Sequence, residues 1–195
     1  MPKKEDILHS VLIVSVSEQF AALVKRSLTQ KNCMGMVLRK NAGMARRSIL
    51  ERYFDIVIID VPLPDELGVE MALDIRDKCE VSVLLVVSKD MYDDVLNRVA
   101  DYGILVIAKP FPRGILDKAI RFLIATQNRI RRLEMKVQNA QEKIREIRTV
   151  DKAKILLVQM EKMTEDDAHR YIGKYAMDRG ISRGSAARMI LEDLE

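Results

Sequence analysis

The sequence lacks the features that mark membrane, secreted and disulfide-rich proteins. No apolar run approaches the roughly 20 residues that span a bilayer, and the opening MPKKEDILHS has no apolar signal-peptide core. The two cysteines, Cys33 and Cys79, have a spacing that matches no metal-binding motif. We therefore expect a cytoplasmic protein whose thiols form neither a disulfide nor a metal site.

The motifs of common enzymes are absent as well. The sequence has no phosphate-binding glycine loop, no cluster of metal ligands, and no serine, histidine and aspartate set typical of hydrolases. Hydrophobic residues make up 48% of the chain and charged residues 32%, which is typical of folded domains. At 195 residues, the chain can hold one ordinary domain and a small companion. These observations favour a regulatory function over catalysis.

The net charge of +4 is concentrated in one segment of the chain. Residues 113–150 carry 10 basic and 4 acidic side chains, whereas the segments on either side are close to neutral. A basic stripe suits polyanion binding, because contacts with phosphates supply most of the sequence-independent affinity. A solvated helix face explains the same stripe equally well, so charge alone leaves both interpretations open.

The first half of the chain alternates between strand and helix patterns. Apolar runs rich in β-branched residues predict strands buried on both faces of a parallel sheet, at residues 11–16, 54–60, 81–88 and 104–110. A weaker run at 34–40 predicts an edge strand, and helical patterns lie between the strands at 18–30, 42–52, 66–78 and 91–100. This alternation predicts a doubly wound α/β domain, with its functional crevice at the carboxyl ends of the strands.

A long helix with a heptad pattern follows this domain. No glycine or proline occurs in residues 115–172. Apolar residues recur there at alternating steps of three and four, as in a coiled coil: Ile130, Leu133, Val137, Ala140, Ile144 and Ile147. The repeat is short, so we expect a dimer that other contacts support. A single amphipathic helix packed along its own domain is the alternative.

Two further helices are predicted at the end of the chain. Thr164 and the acidic residues after it are typical of an N-cap and first turn. Gly180 suits a left-handed helix end, and Ser182 can cap the last helix. In the first of these helices, we expect Tyr171 and Tyr175 to face the core.

Three polar residues end neighbouring strands of the predicted sheet. Asp60 ends the third strand, Ser88 the fourth and Lys109 the fifth. Their side chains should meet at the carboxyl edge, where a carboxylate, a hydroxyl and an ammonium group suit an aspartyl-phosphate site. In that site Asp60 would be the nucleophile, and Ser88 and Lys109 would hold the phosphoryl oxygens.

The sequence around these residues resembles a known family. The runs DVPLPDELG (60–68) and AKPF (108–111) are similar to motifs of the receiver domain of bacterial two-component response regulators, and residues 10–125 resemble that domain as a whole. The resemblance implies a flavodoxin-like fold with a five-stranded parallel sheet. It also implies a phosphoacceptor role for Asp60 and a cis bond between Lys109 and Pro110.

The departures from the receiver pattern concern the phosphorylation machinery. Receivers have an acidic pair after the first strand that holds Mg²⁺, and those positions are Ser15 and Val16 here. Valine offers no oxygen to a cation that requires oxygen ligands. Val106 occupies the position of the aromatic switch residue. We therefore expect a receiver-like domain that is degenerate for phosphorylation and does not bind Mg²⁺.

The end of the chain resembles a second family. The runs AKILLVQM (153–160) and TEDDAHRYIGKYAMD (164–178), followed by residues 182–191, are similar to the ANTAR domain, the RNA-binding module of transcription antitermination regulators. The resemblance implies a homodimer that binds paired RNA hairpins in a nascent leader transcript, under the control of a sensor kinase or sensor protein. The expected organisation is a receiver-like domain (1–125), a coiled-coil linker (126–150) and a small three-helix ANTAR domain (151–195).

The expected RNA-binding surface is basic. Unpaired RNA bases are commonly bound by stacking on aromatic or histidine rings and by arginine and lysine contacts. By resemblance, His169 occupies a usually aromatic position and Gly173 a commonly basic one. The candidate RNA-binding residues are Lys154, His169, Arg170, Lys174, Arg183 and Arg188. Ordinary solvated charges are the alternative for each.

Two other functions are compatible with the same sequence. The last two helices, with Gly180 between them, have the spacing of a helix-turn-helix, as in a DNA-binding response regulator. The acidic residues Glu192, Asp193 and Glu195 at the end of the would-be recognition helix argue against DNA. The other alternative is a protein-interaction regulator controlled by a sensor partner.

Overall fold

The computed structural model describes residues 8–28 and 33–194, and the chain divides into two compact units, residues 1–131 and 132–195. The first unit contains a sheet of five parallel strands in the order β2-β1-β3-β4-β5. The strands are β1 (His9–Val14), β2 (Cys33–Arg39), β3 (Ile56–Asp60), β4 (Ser82–Ser88) and β5 (Leu105–Lys109). The predicted α/β fold is confirmed, with the weakly apolar β2 at the edge.

Helices cover both faces of this sheet. They are α1 (Glu18–Ser27), α2 (Ala42–Glu51), α3 (Val69–Lys78), α4 (Tyr92–Val99) and the start of α5 (Arg113–Met160). The residues of β3 are buried on both faces: Val57 and Ile59 belong to one apolar core, and Ile56 and Ile58 to the other. Continuous apolar strands are stable here because neither face of the sheet meets water.

Several predicted boundaries differ from the observed ones, and two of the differences lie near the carboxyl edge of the sheet. Helix α3 begins at Val69 rather than residue 66, because Gly68 takes the left-handed conformation (φ 88°) just before it. Strand β1 ends at Val14, so Ser15 and Val16 follow the strand instead of completing it. The bond between Lys109 and Pro110 is cis, as the resemblance implies.

A buried polar cluster lies at the amino-terminal edge of the sheet. The carboxylate of Asp55 accepts a hydrogen bond from the backbone N–H of Ser10 at 2.7 Å and is paired with Arg131 of α5. The His9 Nδ1 atom lies 3.7 Å from Asp55 Oδ2, too far for a hydrogen bond. Gln127 of α5 donates to the Asp55 carbonyl at 2.7 Å. These contacts attach α5 to the start of β1 and β3.

The second unit is built from the later part of α5 together with α6 (Glu165–Arg179) and α7 (Arg183–Leu194). Its core consists of apolar residues from all three helices: Ala153, Leu157, Ala168, Ile172, Ala176, Ala186, Ala187 and Ile190. The predicted caps are confirmed. Thr164 accepts a hydrogen bond from the Asp167 N–H, Gly180 is left-handed (φ 62°), and Ser182 accepts from the Ser185 N–H.

No helix among the described residues is both long and apolar enough to cross a membrane. Cys33 and Cys79 are free thiols. Burial is the main cause that raises the pKa of Cys33.

Candidate functional site

Polar side chains gather around Asp60 at the carboxyl edge of the sheet. This residue ends β3 and is only 8% exposed. Its Oδ1 atom accepts a hydrogen bond from Lys109 Nζ at 2.5 Å, and its Oδ2 atom accepts one from the Ser15 hydroxyl at 2.6 Å. Lys109 Nζ also donates to the Val61 carbonyl at 3.1 Å. Both oxygens of the carboxylate are therefore engaged within the chain.

Ser88 lies beside this pocket without contacting Asp60. It pairs with Lys109 across β4 and β5, and its hydroxyl forms no hydrogen bond with any part of the chain that the structure describes. Ser15, which the sequence analysis treated only as a missing acid, contacts Asp60 directly. The available signal was its position just after β1, the strand next to β3 in the sheet.

The donors in this pocket do not fit Mg²⁺. The cation prefers near-octahedral oxygen ligands, usually with carboxylates among them. Among the described residues that contact Asp60, Ser15 contributes a neutral hydroxyl and Lys109 an ammonium group, and the exposed Val16 side chain nearby in sequence has no oxygen. These donors alone do not complete an octahedral oxygen site.

The acidic residues close to Asp60 and Ser15 in sequence contact other groups or are exposed to solvent. Asp65 accepts hydrogen bonds at 2.9 Å from the backbone N–H groups of Ala42 and Gly43, which lower its pKa. Glu66 is paired with Arg46 at 2.6 Å. Glu18 is largely exposed in the first turn of α1. In the part of the chain that the structure describes, none of these three carboxylates pairs with Ser15 or Lys109, the two side chains that contact Asp60.

The second unit contains a cavity of about 450 Å³, which we call the basic cavity. It is lined by residues of all three helices: Lys143, Glu146, Ile147, Val150, Asp151, Lys154, His169 and Arg183. Four of these side chains are lysine, arginine or histidine, and two are aliphatic. The cavity thus combines positive charge with an apolar wall.

The structure separates the six predicted RNA-binding residues into three groups. Lys154, His169 and Arg183 line the basic cavity. Arg188 lines a second, larger cleft of about 760 Å³ that also includes Asn139, Lys143, Arg145 and Thr149. Arg170 and Lys174 are exposed on α6 and line neither, and Arg170 is paired with Asp167 at 2.6 Å.

The cationic side chains of the basic cavity differ in whether they form ion pairs with acidic residues. Lys154 contacts Asp151 at 3.0 Å and Glu165 at 3.4 Å, and the hydrogen bond to Asp151 is the main cause that raises the pKa of Lys154. Lys143 and Arg183 have no ion pair with any described residue. The guanidinium of Arg183 lies against Gly173, 3.9 Å from the point that a Cβ would occupy. Arg183 therefore brings positive charge to the position where the family commonly has a basic residue.

The prediction that Tyr171 faces the core was wrong, since this side chain is 43% exposed. The core positions of α6 are Ala168, Ile172 and Ala176, which repeat every four residues. Tyr171 is rotated by about 100° from that line. Tyr175 packs at the edge of the core, and the Arg179 guanidinium lies 3.8 Å from its ring centroid.

A contact between Glu146 and Gly184 joins α5 to α7. The Glu146 carboxylate accepts a hydrogen bond from the Gly184 N–H at 2.9 Å. A Cβ at position 184 would lie 2.5 Å from Glu146 Cγ, so the close approach depends on glycine. Sequence reasoning missed this contact and the cations Lys143 and Arg145, because it assigned this part of α5 to a linker.

The heptad residues form an apolar stripe on α5. Leu133, Val137, Ile144 and Ile147 are each more than half exposed in the single chain. Large aliphatic side chains repeated along one helix face are a common mark of a protein contact. Ile147 also lines the basic cavity, so we call only Leu133, Val137 and Ile144 the seam.

Comparisons with known proteins agree on both halves of the chain. Residues 11–121 match the response regulator receiver domain family, and residues 138–191 match the ANTAR domain family. The chain is 32% identical over 141 residues to the transcriptional regulatory protein PdtaR of Mycobacterium tuberculosis, an alignment that covers 72% of this chain and 68% of PdtaR.

Two more distant relatives align over a smaller share of the chain. The response regulator ArlR of Staphylococcus aureus is 28% identical over 122 residues, covering 62% of this chain and 54% of ArlR. A solved structure, the signal receiver domain of an HD domain-containing protein from Pseudomonas fluorescens, superposes with a TM-score of 0.55 at 19% identity. It covers 64% of this chain and 93% of that domain, and it shows the fold alone.

Proposed function

Since the chain belongs to the response regulators that join a receiver domain to an ANTAR domain, we propose that it is an RNA-binding regulator of transcription antitermination. Its ANTAR domain binds hairpins in a nascent leader transcript and prevents the terminator from forming. The observation that carries this proposal is the basic cavity, where Lys154, His169 and Arg183 converge. They come from three different helices.

The chemistry of this surface suits RNA hairpin loops better than duplex DNA. Loops expose unstacked bases, which proteins bind by stacking on rings and by hydrogen bonds to base edges. A concave site with a histidine and an aliphatic wall can accept such a base, whereas a helix-turn-helix presents a protruding helix to a groove. The exposed Arg170, Lys174 and Arg188 then add contacts with phosphates.

We further propose that the receiver domain works without phosphorylation. Asp60 already shares its two oxygens with Lys109 and Ser15. With no acidic pair to bind Mg²⁺, the charge that develops on a transferred phosphoryl group lacks its main neutraliser. The domain then acts as a scaffold that a sensor protein can bind, rather than as a phosphate switch.

The active form in this proposal is a homodimer that pairs through the seam. The linker of residues 126–150 supplies a coiled coil between the receiver domain (1–125) and the ANTAR domain (151–195). The exposed apolar stripe supports it, because pairing two copies would remove this surface from water. A dimer also presents two RNA-binding domains to two hairpins.

The test is binding of the full-length protein to a two-hairpin leader RNA across a salt series. We expect affinity to fall steeply with salt and to weaken by about tenfold in Arg183→Ala, since contacts with phosphates and bases are both lost. Lys25→Ala, an exposed cation on α1 of the receiver domain, is the matched control and should bind like the wild type. Binding that ignores salt, or tighter binding to duplex DNA of equal length, would overturn the proposal.

A further inference from the structure

Basic side chains border the seam on both sides. Lys136 and Lys143 each precede an apolar position of the heptad pattern on one border, and Arg148 follows such a position on the other. Seven residues are close to two helical turns, so Lys136 and Lys143 keep the same position relative to the seam. All three side chains are exposed. A helix contact through the seam would therefore have these cations at its rim.

The three cations lack a counter-charge within their own chain. Lys136, Lys143 and Arg148 form no ion pair with any residue that the structure describes. Glu146 is close to Lys143 in sequence, but its carboxylate accepts a hydrogen bond from the Gly184 N–H at 2.9 Å instead. The positive charge on the borders is thus left for a ligand or a second copy to meet.

Pairing two copies brings two of these cations together. A dimer that presents two ANTAR domains to two hairpins needs α5 helices that run in the same direction. In such a parallel pair, a residue just before a seam position faces the residue five places further on in the other helix. Lys143 then faces Arg148 of the second copy, whereas Lys136 faces an uncharged glutamine, Gln141. Like charges in this position weaken the pair.

We propose that Lys143 of one copy and Arg148 of the second copy form a phosphate site across the helix pair, and that the RNA backbone completes the dimer by binding there. The site exists only when two copies pair, and the symmetry of the pair creates it twice. The inference rests on the proposed function. It adds that RNA binding and dimerisation strengthen each other, because each supplies what the other needs.

A phosphate group suits this pair of cations. One anion between Lys143 and Arg148 of the second copy replaces their repulsion by two attractive contacts. Arginine can hold a phosphate through two parallel hydrogen bonds, while lysine acts as a point charge. Lys143 also lines the basic cavity, so an RNA strand that reaches that cavity passes close to this site. The backbone of the bound RNA is therefore the source of phosphate that the geometry favours.

Tripolyphosphate tests the site without RNA. This anion is too short to bridge two RNA-binding domains, so a tighter dimer in its presence reports a site within the helix pair. The dimer dissociation constant of the full-length protein is measured by sedimentation at low salt, with the anion or with sodium chloride at equal ionic strength. We expect tripolyphosphate to tighten the wild-type dimer by at least about fivefold, the lower end of common couplings between sites.

Charge reversal on one border separates this site from general screening. Arg148→Glu should dimerise more tightly than wild type without the anion, because an opposite charge then faces Lys143. Its response to tripolyphosphate should be less than about twofold, since the coupling is lost. Lys152→Glu makes the same reversal at an exposed position of α5 outside the borders, and it should respond like wild type. An equal response of Arg148→Glu and wild type would overturn the site.

Binding of the two-hairpin RNA across a salt series identifies the source of the phosphate. In Arg148→Glu, the slope of log affinity against log salt should fall by about one for each copy, since each copy loses a phosphate contact. An unchanged slope, even if tripolyphosphate tightens the dimer, overturns the inference while the proposed function stands. If wild type stays monomeric with and without the anion, the inference fails together with the proposed homodimer, whereas RNA binding is judged separately by Arg183→Ala.

Discussion

Ser15 and Lys109 set the charge around Asp60 in the receiver domain. The serine hydroxyl is neutral and donates to Asp60 at 2.6 Å, while Lys109 neutralises the same carboxylate. A site with additional carboxylates needs a cation to offset their mutual repulsion. Here the single negative charge of Asp60 is offset by the positive charge of Lys109. We therefore expect the residue type at position 15 to decide whether this site needs a metal.

Restoring the acidic pair should restore the missing chemistry. We expect Ser15→Asp combined with Val16→Asp to bind Mg²⁺ and to take up phosphate from a small phosphoryl donor, while the wild type does neither. Titration calorimetry with Mg²⁺ and mass spectrometry of the intact protein measure the two steps. Ser15→Ala, which removes the hydroxyl without adding charge, is the control and should remain inactive. Mg²⁺-dependent phosphorylation of the wild type would contradict this interpretation.

At the opposite edge of the sheet, Asp55 makes the fold sensitive to acid. Burial alone would raise the pKa of Asp55, but the nearby His9 ring, the Ser10 N–H and the charge of Arg131 outweigh burial and lower it. A carboxyl group whose pKa is lowered on folding stabilises the protein above its unfolded value of about 3.9. That stabilisation is lost as the pH falls through the lower pKa of the folded state.

Asp55→Asn should therefore destabilise the receiver domain at neutral pH, by about 1–3 kcal/mol for a buried hydrogen-bonded group. The difference from wild type should shrink as the pH falls below about 4, where the unfolded chain binds a proton before the folded one does, and should be lost below the lowered pKa of the folded state. Chemical unfolding at several pH values measures it. A difference that grows as the pH falls would contradict the assignment.

Among the helices and strands, α5 is the element that contributes to both units of the chain. Its first turns pack on the sheet through Leu116, Ile120 and Leu123, and its later turns belong to the ANTAR domain through Ala153 and Leu157. Between them the seam is left exposed. The middle of the helix thus makes few contacts within its own chain, which favours a contact with a second copy.

A charge in the seam should separate the dimer. Val137→Glu places two carboxylates opposite each other in a paired helix, and burying them without partners is costly. We expect sedimentation velocity to show a dimer for wild type and a monomer for the variant at the same concentration. Gln138→Glu adds the same charge at a neighbouring exposed position away from the seam, and it should remain dimeric. Equal sedimentation of all three proteins would refute pairing through the seam.

Regular elements were easier to predict from sequence than contacts between them. The apolar runs predicted the strands because parallel strands are buried on both faces, and Thr164, Gly180 and Ser182 predicted helix ends because each cap has its own chemistry. The contact of Ser15 with Asp60 depends on strand order, which no local pattern states. Gly184 against Glu146 depends likewise on the packing of helices far apart in sequence.

For the whole molecule, we expect dimerisation to raise the affinity for RNA. Two binding domains on one dimer make the second hairpin contact intramolecular, which can raise affinity by about 10²–10⁴. Removing one hairpin from the RNA should therefore weaken wild-type binding strongly, whereas monomeric Val137→Glu should bind one-hairpin and two-hairpin RNAs about equally. Electrophoretic mobility shifts with both RNAs measure the ratio. A large two-hairpin preference in the monomeric variant would contradict the link.

The most direct test of the central claim is transcription of a leader template that carries two hairpins and a terminator, with purified polymerase and this protein. We predict that wild type increases read-through of the terminator, that Arg183→Ala does not, and that a phosphoryl donor changes neither result. Unchanged termination, despite RNA binding at the same protein concentration, would show that the protein binds transcripts without acting as an antiterminator.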